Sequence, residues 1–289
     1  MKSSKPIIII AGPTASGKSS FALELAELLN GSIVNFDSMQ VYKDLNILTA
    51  RPNNVDLARV PHQLYGIIPG SIRCTAIYWR DLALNEIEKI LKLNRVPILV
   101  GGTGLYIKTL IDGTTDIPAS EPIYINKAKS VLKKIGEEKF YREVEKIDLD
   151  IVKNISIKDH QRLIRVYSVW LQTNKPLSVW QNEDSKVNKI NNKFLKVRLN
   201  LDRNFLRERI KRRFMEMLKN GVIEEVKNFK KFDASMPIMK AHGLRELLSY
   251  IDGKKNIDQV IEETINQINQ YAKRQDTWFR NKYESDYII

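Results

Sequence analysis

Gly12-Pro13-Thr14-Ala15-Ser16-Gly17-Lys18-Ser19 sets two glycines, a lysine and a hydroxyl at the spacing Gly-x-x-x-x-Gly-Lys-Ser. The backbone N–H groups of such a loop converge on an anion. Lys18 adds a mobile positive charge, and Ser19 offers its hydroxyl to a magnesium ion carried by phosphates. The chemistry is capture of a pyrophosphate-like group. The loop alone leaves open whether that group belongs to a nucleotide. The flanks supply what the loop needs. Ile7-Ile8-Ile9-Ile10 reads as a buried strand leading into Ala11. Ser20 to Leu29 carries apolar residues at 21, 22, 25, 28 and 29, which predicts one face of a helix whose N-terminus adds to the anion site.

A second set of residues belongs beside this loop. Gly31 to Phe36 predicts a strand ending in Asp37-Ser38-Met39-Gln40-Val41-Tyr42. Ligands of open α/β sheets sit at the carboxyl ends of strands, so Asp37 falls near the phosphate loop. It has three readings: a carboxylate acting on magnesium through water, a general base, or a cap of the next turn. Pro97-Ile98-Leu99-Val100 predicts another buried strand, running into Gly101-Gly102-Thr103-Gly104-Leu105-Tyr106, a second glycine-rich turn that opens a helix. Thr49-Ala50-Arg51-Pro52 and Pro61-His62-Gln63-Leu64 read as proline-punctuated loops on the rim. No second histidine stands at metal-ligand spacing from His62, which argues against zinc. Tyr78 to Leu93 predicts a helix.

From Asp116 the pattern changes. Ile117 to Pro122 is a linker-like break, and residues 123–180 lack strand signals. Helices are predicted from Ser130 to Val144 and from Asp159 to Thr173, with Pro176 stopping the second. This block, residues 121–190, reads as an all-helical insertion into an α/β core made of residues 1–120 and 191–289. Within it, Gln161-Arg162-Leu163-Ile164-Arg165 sets two arginines one turn apart, either a clamp for a nucleic-acid backbone or an ordinary solvated edge. Phe194 to Leu199 reads as a returning strand, Asp202 caps a helix, and Lys211-Arg212-Arg213 either lines an anionic channel or faces water. The last long helix starts near Ile257 and carries Gln270-Tyr271-Ala272-Lys273-Arg274-Gln275-Asp276-Thr277-Trp278-Phe279-Arg280. Lys273, Arg274 and Arg280 interleaved with aromatics suit RNA backbone and unpaired bases.

Composition narrows the classes. The chain has 289 residues, 47 Lys and Arg against 34 Asp and Glu, and a net charge of +13. Residues 1–120 carry 12 basic and 10 acidic side chains, residues 121–190 carry 14 and 10, and residues 191–289 carry 21 and 14. The excess grows away from the phosphate loop, so it points to a polyanionic partner rather than to a small diphosphate alone. Cys74 is the sole cysteine, which rules out disulfides and a cysteine-based zinc site and fits a reducing compartment. Met1 to Pro6 is too short and polar for a signal peptide, and no apolar run approaches the roughly 20 residues of a membrane span. A cytoplasmic protein is expected. A GTPase would need Asn-Lys-x-Asp, and Asn174-Lys175-Pro176-Leu177 lacks the aspartate. What remains is a small-molecule kinase using ATP or a transferase with a diphosphate leaving group. A non-catalytic RNA-binding protein would have no use for Asp37 opposite an intact phosphate loop.

Six stretches together, residues 12–19, 37–42, 49–52, 61–64, 101–106 and 270–280, resemble in order the motifs of the tRNA dimethylallyltransferases, also called tRNA isopentenyltransferases. The resemblance implies a P-loop nucleotide-kinase-like parallel sheet with an all-helical insertion that grips the anticodon stem-loop. It implies transfer of a dimethylallyl group from dimethylallyl diphosphate to the exocyclic amine of the adenosine 3′ of the anticodon, in tRNAs reading U-initial codons. Under it, residues 12–19 hold the diphosphate, Lys18 and magnesium on Ser19 neutralise it, and Asp37 accepts the proton. Asp37, Ser38, Met39, Gln40, Thr103 and Gln161 to Arg165 contact tRNA, with Thr103 orienting either the base or the transferred group. The chain departs from the family pattern at Ile125, where an arginine is common and Lys127 could substitute, and at His242 and Leu244 in Ala241-His242-Gly243-Leu244-Arg245-Glu246. Nothing in the sequence suggests an obligate dimer, so a monomer is expected.

Overall fold

A computed structural model describes residues 5–114, 117–182 and 192–289. Met1 to Ser4, Asp116 and the insertion boundary at residue 190 lie outside the described residues. The chain runs β1 (Ile7–Ala11), α1 (Lys18–Leu28), β2 (Gly31–Asn35), α2 (Asn54–Arg59), β3 (His62–Gln63), α3 (Ala76–Lys92), β4 (Val96–Gly101) and α4 (Gly104–Asp112). It continues through α5 (Pro122–Ile135), α6 (Glu137–Ile147), α7 (Leu149–Val152), α8 (His160–Thr173) and α9 (Leu177–Asn182). Then come β5 (Phe194–Arg198), α10 (Arg203–Lys219), α11 (Val222–Lys227), α12 (Leu244–Ile251), α13 (Ile257–Lys282) and β6 (Tyr287–Ile288).

The strands form one six-stranded sheet in the order β3-β2-β4-β1-β5-β6, and every pair is parallel. Parallel neighbours need helical crossovers, which cover both faces of the sheet. That is why β1 is an unbroken apolar run rather than an alternating one. Ile7, Ile9 and Ala11 enter one core, while Ile8 and Ile10 enter the other. Each of these four isoleucines is at most 3% exposed, and burying such a side chain contributes roughly 2 kcal/mol. The fold is the α/β class with a phosphate loop expected from the sequence.

Two compact units emerge, Met1–Ile111 with Ile190–Ile289, and Asp112–Lys189. The second is built from α5 to α9 around Phe140, Val144, Val152, Leu163, Val166 and Val169. Asp159 caps α8 by accepting from the Arg162 N–H, and the helix ends at Asn174 in the left-handed conformation (φ 54°).

Several sequence expectations need correction. The face predicted for α1 is displaced: Ala22, Leu23 and Ala26 are buried, whereas Leu28 is 82% exposed. The helix between Ser130 and Val144 is two helices, because Gly136 adopts φ 82° and ends α5 before α6 begins. His62 and Gln63, read as loop, add an edge strand beside β2. Leu163 is fully buried in the helical unit, so its side chain is not available to a nucleic acid.

Candidate active site

Three neighbouring strands carry the candidate site. β4 lies between β2 and β1, so the Asp37 turn, the Gly101–Gly104 turn and the phosphate loop leave adjacent carboxyl ends, about 5 Å apart from strand to strand. Direct bonds tie the turns together. The Ser38 N–H donates to Thr103 Oγ1 at 3.0 Å, and the Thr103 N–H donates to the Phe36 carbonyl at 3.3 Å. Asp37 is pinned from below. Its N–H donates to Asn35 Oδ1 at 2.8 Å, and Asn35 Nδ2 donates back to the Asp37 carbonyl at 3.1 Å. Asp37 Oδ1 accepts from the Met39 N–H at 2.9 Å. The carboxylate therefore does cap its turn, and Oδ2 keeps capacity for a second partner.

The phosphate loop is closed and cationic. Gly17 is the N-cap of α1 at φ 92°, a conformation that side chains strain to reach. The Lys18 ammonium donates to the Pro13 carbonyl at 2.6 Å. Burial lowers the Lys18 pKa to about 7, with Asp37 pulling it up and Arg213 pushing it further down. Arg213 donates to Thr14 Oγ1 at 2.8 Å. A cavity of about 350 Å³ faces the loop, and Thr14 to Ser20, Asp37, Gln40, Arg209, Arg212 and Arg213 line it. A volume of this order suits a small ligand. Ser16 Oγ is buried there without a protein hydrogen-bond partner, as fits a loop built to receive acceptor oxygens.

The donor set suits magnesium held through a ligand. Among the described residues no cluster of three or more His, Cys, Asp or Glu could hold a metal unaided. Ser19 is exposed and lines the same cavity as Asp37. One hydroxyl with phosphate oxygens and water matches the ion's preference for few protein ligands.

The remaining predicted residues divide. Gln40 sits on the cavity wall, but its Nε2 donates to the Thr49 and Ala50 carbonyls, holding that rim loop. Ser38 and Met39 are half-buried. In the helical unit, Arg162 is exposed and pairs with Asp159 at 3.3 Å, Gln161 is exposed and Ile164 half-buried. Arg165 donates to the Pro118 carbonyl at 2.9 Å and to Ser120 Oγ, so it braces its own unit. On α13, Lys273 and Arg280 line a groove with Arg203 and Arg207. Arg280 also pairs with Asp276, and Arg274 stands 5.8 Å from the Tyr271 ring centroid. His242 packs on Tyr271 with ring centroids 4.7 Å apart, Leu244 is fully buried, and Lys127 stands over the Tyr124 ring.

Sequence reasoning left out Asn35, Arg209, Tyr271 and Gln275 as site residues; of the Lys211-Arg212-Arg213 cluster, read as either an anionic channel or a solvated face, Arg212 and Arg213 line the cavity. Arg209, Arg212 and Arg213 were legible as one helix face, since residues three and four apart are neighbours; which face met the loop was not. Burial and the Asp37 carboxylate raise the Tyr271 phenol, while Thr103 and Gln275 partly offset this.

The chain matches the family described as IPP transferase over residues 40–282 and that described as isopentenyl transferase over residues 5–74. It is 40% identical over 289 residues to the tRNA dimethylallyltransferase of Bartonella tribocorum, covering 99% of this chain and 98% of that protein. The crystal structure of the full-length tRNA isopentenylpyrophosphate transferase of Bacillus halodurans is similar with a TM-score of 0.69 and 30% identity, covering 98% of this chain and 89% of that one. A eukaryotic dimethylallyltransferase, solved acting on tRNA, gives a TM-score of 0.81 at 29% identity, over 96% of this chain and 70% of that one. An ATP-dependent kinase is not favoured by this company.

Proposed function

This chain belongs to the tRNA dimethylallyltransferase family, and we propose that its cavity moves a dimethylallyl group from dimethylallyl diphosphate to the exocyclic amine of the adenosine 3′ of the anticodon. One observation carries the mechanism: the phosphate loop, the Asp37 turn and the Thr103 turn open from three adjacent strand ends, with Ser38 bonded to Thr103 at 3.0 Å. The carbon–oxygen bond of the donor breaks and its electron pair leaves with diphosphate. The loop N–H groups, Lys18 and the cavity's arginines stabilise the charge that develops on that group. Magnesium, held by the Ser19 hydroxyl and the diphosphate, would supply further neutralisation. The allylic carbon gains cationic character and the amine nitrogen bonds to it. The amine must lose a proton as it attacks, and Asp37 Oδ2 accepts it.

The target adenosine is stacked within its loop, so it must be extruded to reach the Asp37 turn. Ser38, Met39, Gln40 and Thr103 receive it, and Thr103 orients it. Gln161 and Arg162 of the helical unit and Lys273, Arg274 and Arg280 of α13 hold the RNA backbone. The protein acts as a monomer in the cytoplasm on tRNAs that read U-initial codons. No helix among the described residues is long and apolar enough to cross a membrane.

Labelled dimethylallyl diphosphate, magnesium and unmodified tRNA test the reading. Label passes to tRNA without ATP, and Asp37→Ala binds tRNA but loses most turnover. ATP consumption with no labelled tRNA overturns the function, and an Asp37→Ala defect confined to binding overturns the base assignment.

A further inference from the structure

The Gln275 amide joins the two glycine-rich turns. Gln275 lies on α13 and is 5% exposed. Its Oε1 accepts from the Thr14 N–H at 2.8 Å, and its Nε2 donates to the Gly102 carbonyl at 2.8 Å. An N–H only donates and a carbonyl only accepts, so both partners fix the amide in one orientation. Gly102 owes its lack of a side chain to this contact: a Cβ there would lie 2.1 Å from Gln275 Nε2. α13 grips the same turn on either side. One helical turn earlier the Tyr271 phenol meets Thr103 and Gln275. Three residues on, the Trp278 ring lies so close over Gly104 that a Cβ would stand 2.2 Å from it. Thr14 is held from its other end by Arg213, at 2.8 Å from its hydroxyl.

The Thr14 N–H is thus taken by Gln275 rather than aimed at a phosphate. Gln275 adds nothing to anion binding directly; what it sets is where the loop stands relative to Thr103. Resting on the transfer reaction above, we infer that Gln275 is a positioning residue that fixes the separation between the departing diphosphate and the attacking base. The helix that bears Lys273 and Arg274 is thereby bonded to the donor cradle.

Gln275→Met keeps the length and removes both bonds. Its kcat falls about 10- to 100-fold while KM for donor and tRNA moves less than about threefold, as expected for lost alignment rather than lost binding. Gln275→Glu separates bridging from packing. An ionised carboxylate accepts from Thr14 but has nothing to donate to Gly102, whereas the protonated acid restores both bonds. The ratio of its kcat to the wild-type value therefore rises as pH is lowered from about 8.5 to about 6, the range into which burial moves a carboxyl. Gln275→Met shows no such recovery. Thermal unfolding is followed for each variant, and if Gln275→Met does not fold the pH dependence of the Gln275→Glu ratio decides alone. Wild-type kcat in Gln275→Met, or a flat ratio in Gln275→Glu, overturns the positioning role. Wild-type protein that labels no tRNA overturns the reaction instead. Hydrogen exchange then still reads the bridge: the Thr14 amide loses protection in Gln275→Met, and equal protection in both proteins overturns it.

Discussion

Lys18 shows what enclosure does to one charge. Burial lowers its pKa from 10.5 to about 7, so the empty site holds a mixture of ammonium and amine near neutrality. An arriving diphosphate favours the ammonium form, which raises the pKa of the bound state. Binding above pH 7 must therefore take up a proton, and affinity falls as pH rises, by at most about tenfold per pH unit for one linked proton. Calorimetry of inorganic diphosphate in buffers of different ionisation enthalpy, with EDTA present to keep metal out, measures this. Uptake approaching one proton at pH 8 is expected, with less at pH 6 where the lysine is already charged. Binding at pH 8 with no uptake would mean that Lys18 is already charged in the free loop or draws its proton from the diphosphate, which carries one of its own at that pH. The same shift has the opposite sign for stability. The unfolded chain binds the extra proton between about 7 and 10.5, so the empty protein gains stability as pH rises through that window.

Among the elements, the α5–α6 corner shows most clearly where sequence patterns stop. Gly136 joins the helices at φ 82° and ψ 169°, a region open essentially to glycine alone. A Cβ at Gly136 would meet nothing within 4 Å, so backbone strain is the whole penalty. Gly136→Ala is expected to cost about 1–3 kcal/mol, read by urea unfolding against Glu138→Ala as a surface control. Equal stability of the two variants would mean that the corner relaxes freely into the continuous helix the sequence suggested. That expectation came from the lack of strand signals across residues 123–180, within which a single glycine does not mark a break. Phe140 and Val144 on α6 and Leu163 on α8 meet in one core, and only the turn at Gly136 sets the direction in which α6 leaves. The strands were easier to read. β1 and β4 are buried on both faces, so their composition alone marks them. His62-Gln63 is too short to carry a period and is a strand only because β2 lies beside it. The glycine turns and Asp37 were legible because their chemistry is local. Asn35 and Gln275 were not: besides its local bonds to Asp37, Asn35 Nδ2 donates to the Leu64 carbonyl 29 residues on, and Gln275 bonds Gly102 from 173 residues away, backbone that only the fold brings near.

For the whole molecule, net charge and its distribution decide how a polyanion is met. The chain carries +13, and α10 and α13 set Arg203, Arg207, Lys273 and Arg280 along one groove while Asp202 and Asp276 also line it. Asp276 lies 3.9 Å from Arg198 as well as pairing with Arg280, so the groove's unbalanced charge falls mainly on Arg203, Arg207 and Lys273. Groups that neutralise RNA phosphates release counterions, and each contributes about 0.7–0.9 to the slope of log affinity against log salt. Arg207→Ala with Lys273→Ala should therefore weaken tRNA binding and reduce the slope by about 1–2, while kcat at saturating tRNA stays near the wild-type value. Filter binding from about 50 to 200 mM salt resolves such a change, since that range alone moves the affinity of a protein with several phosphate contacts by orders of magnitude. A slope equal to the wild-type one would place the RNA on other basic side chains. A kcat that falls with the slope would mean that the groove also sets how the base enters the cavity, because Lys273 stands on α13, the helix that Gln275 bonds to the phosphate loop.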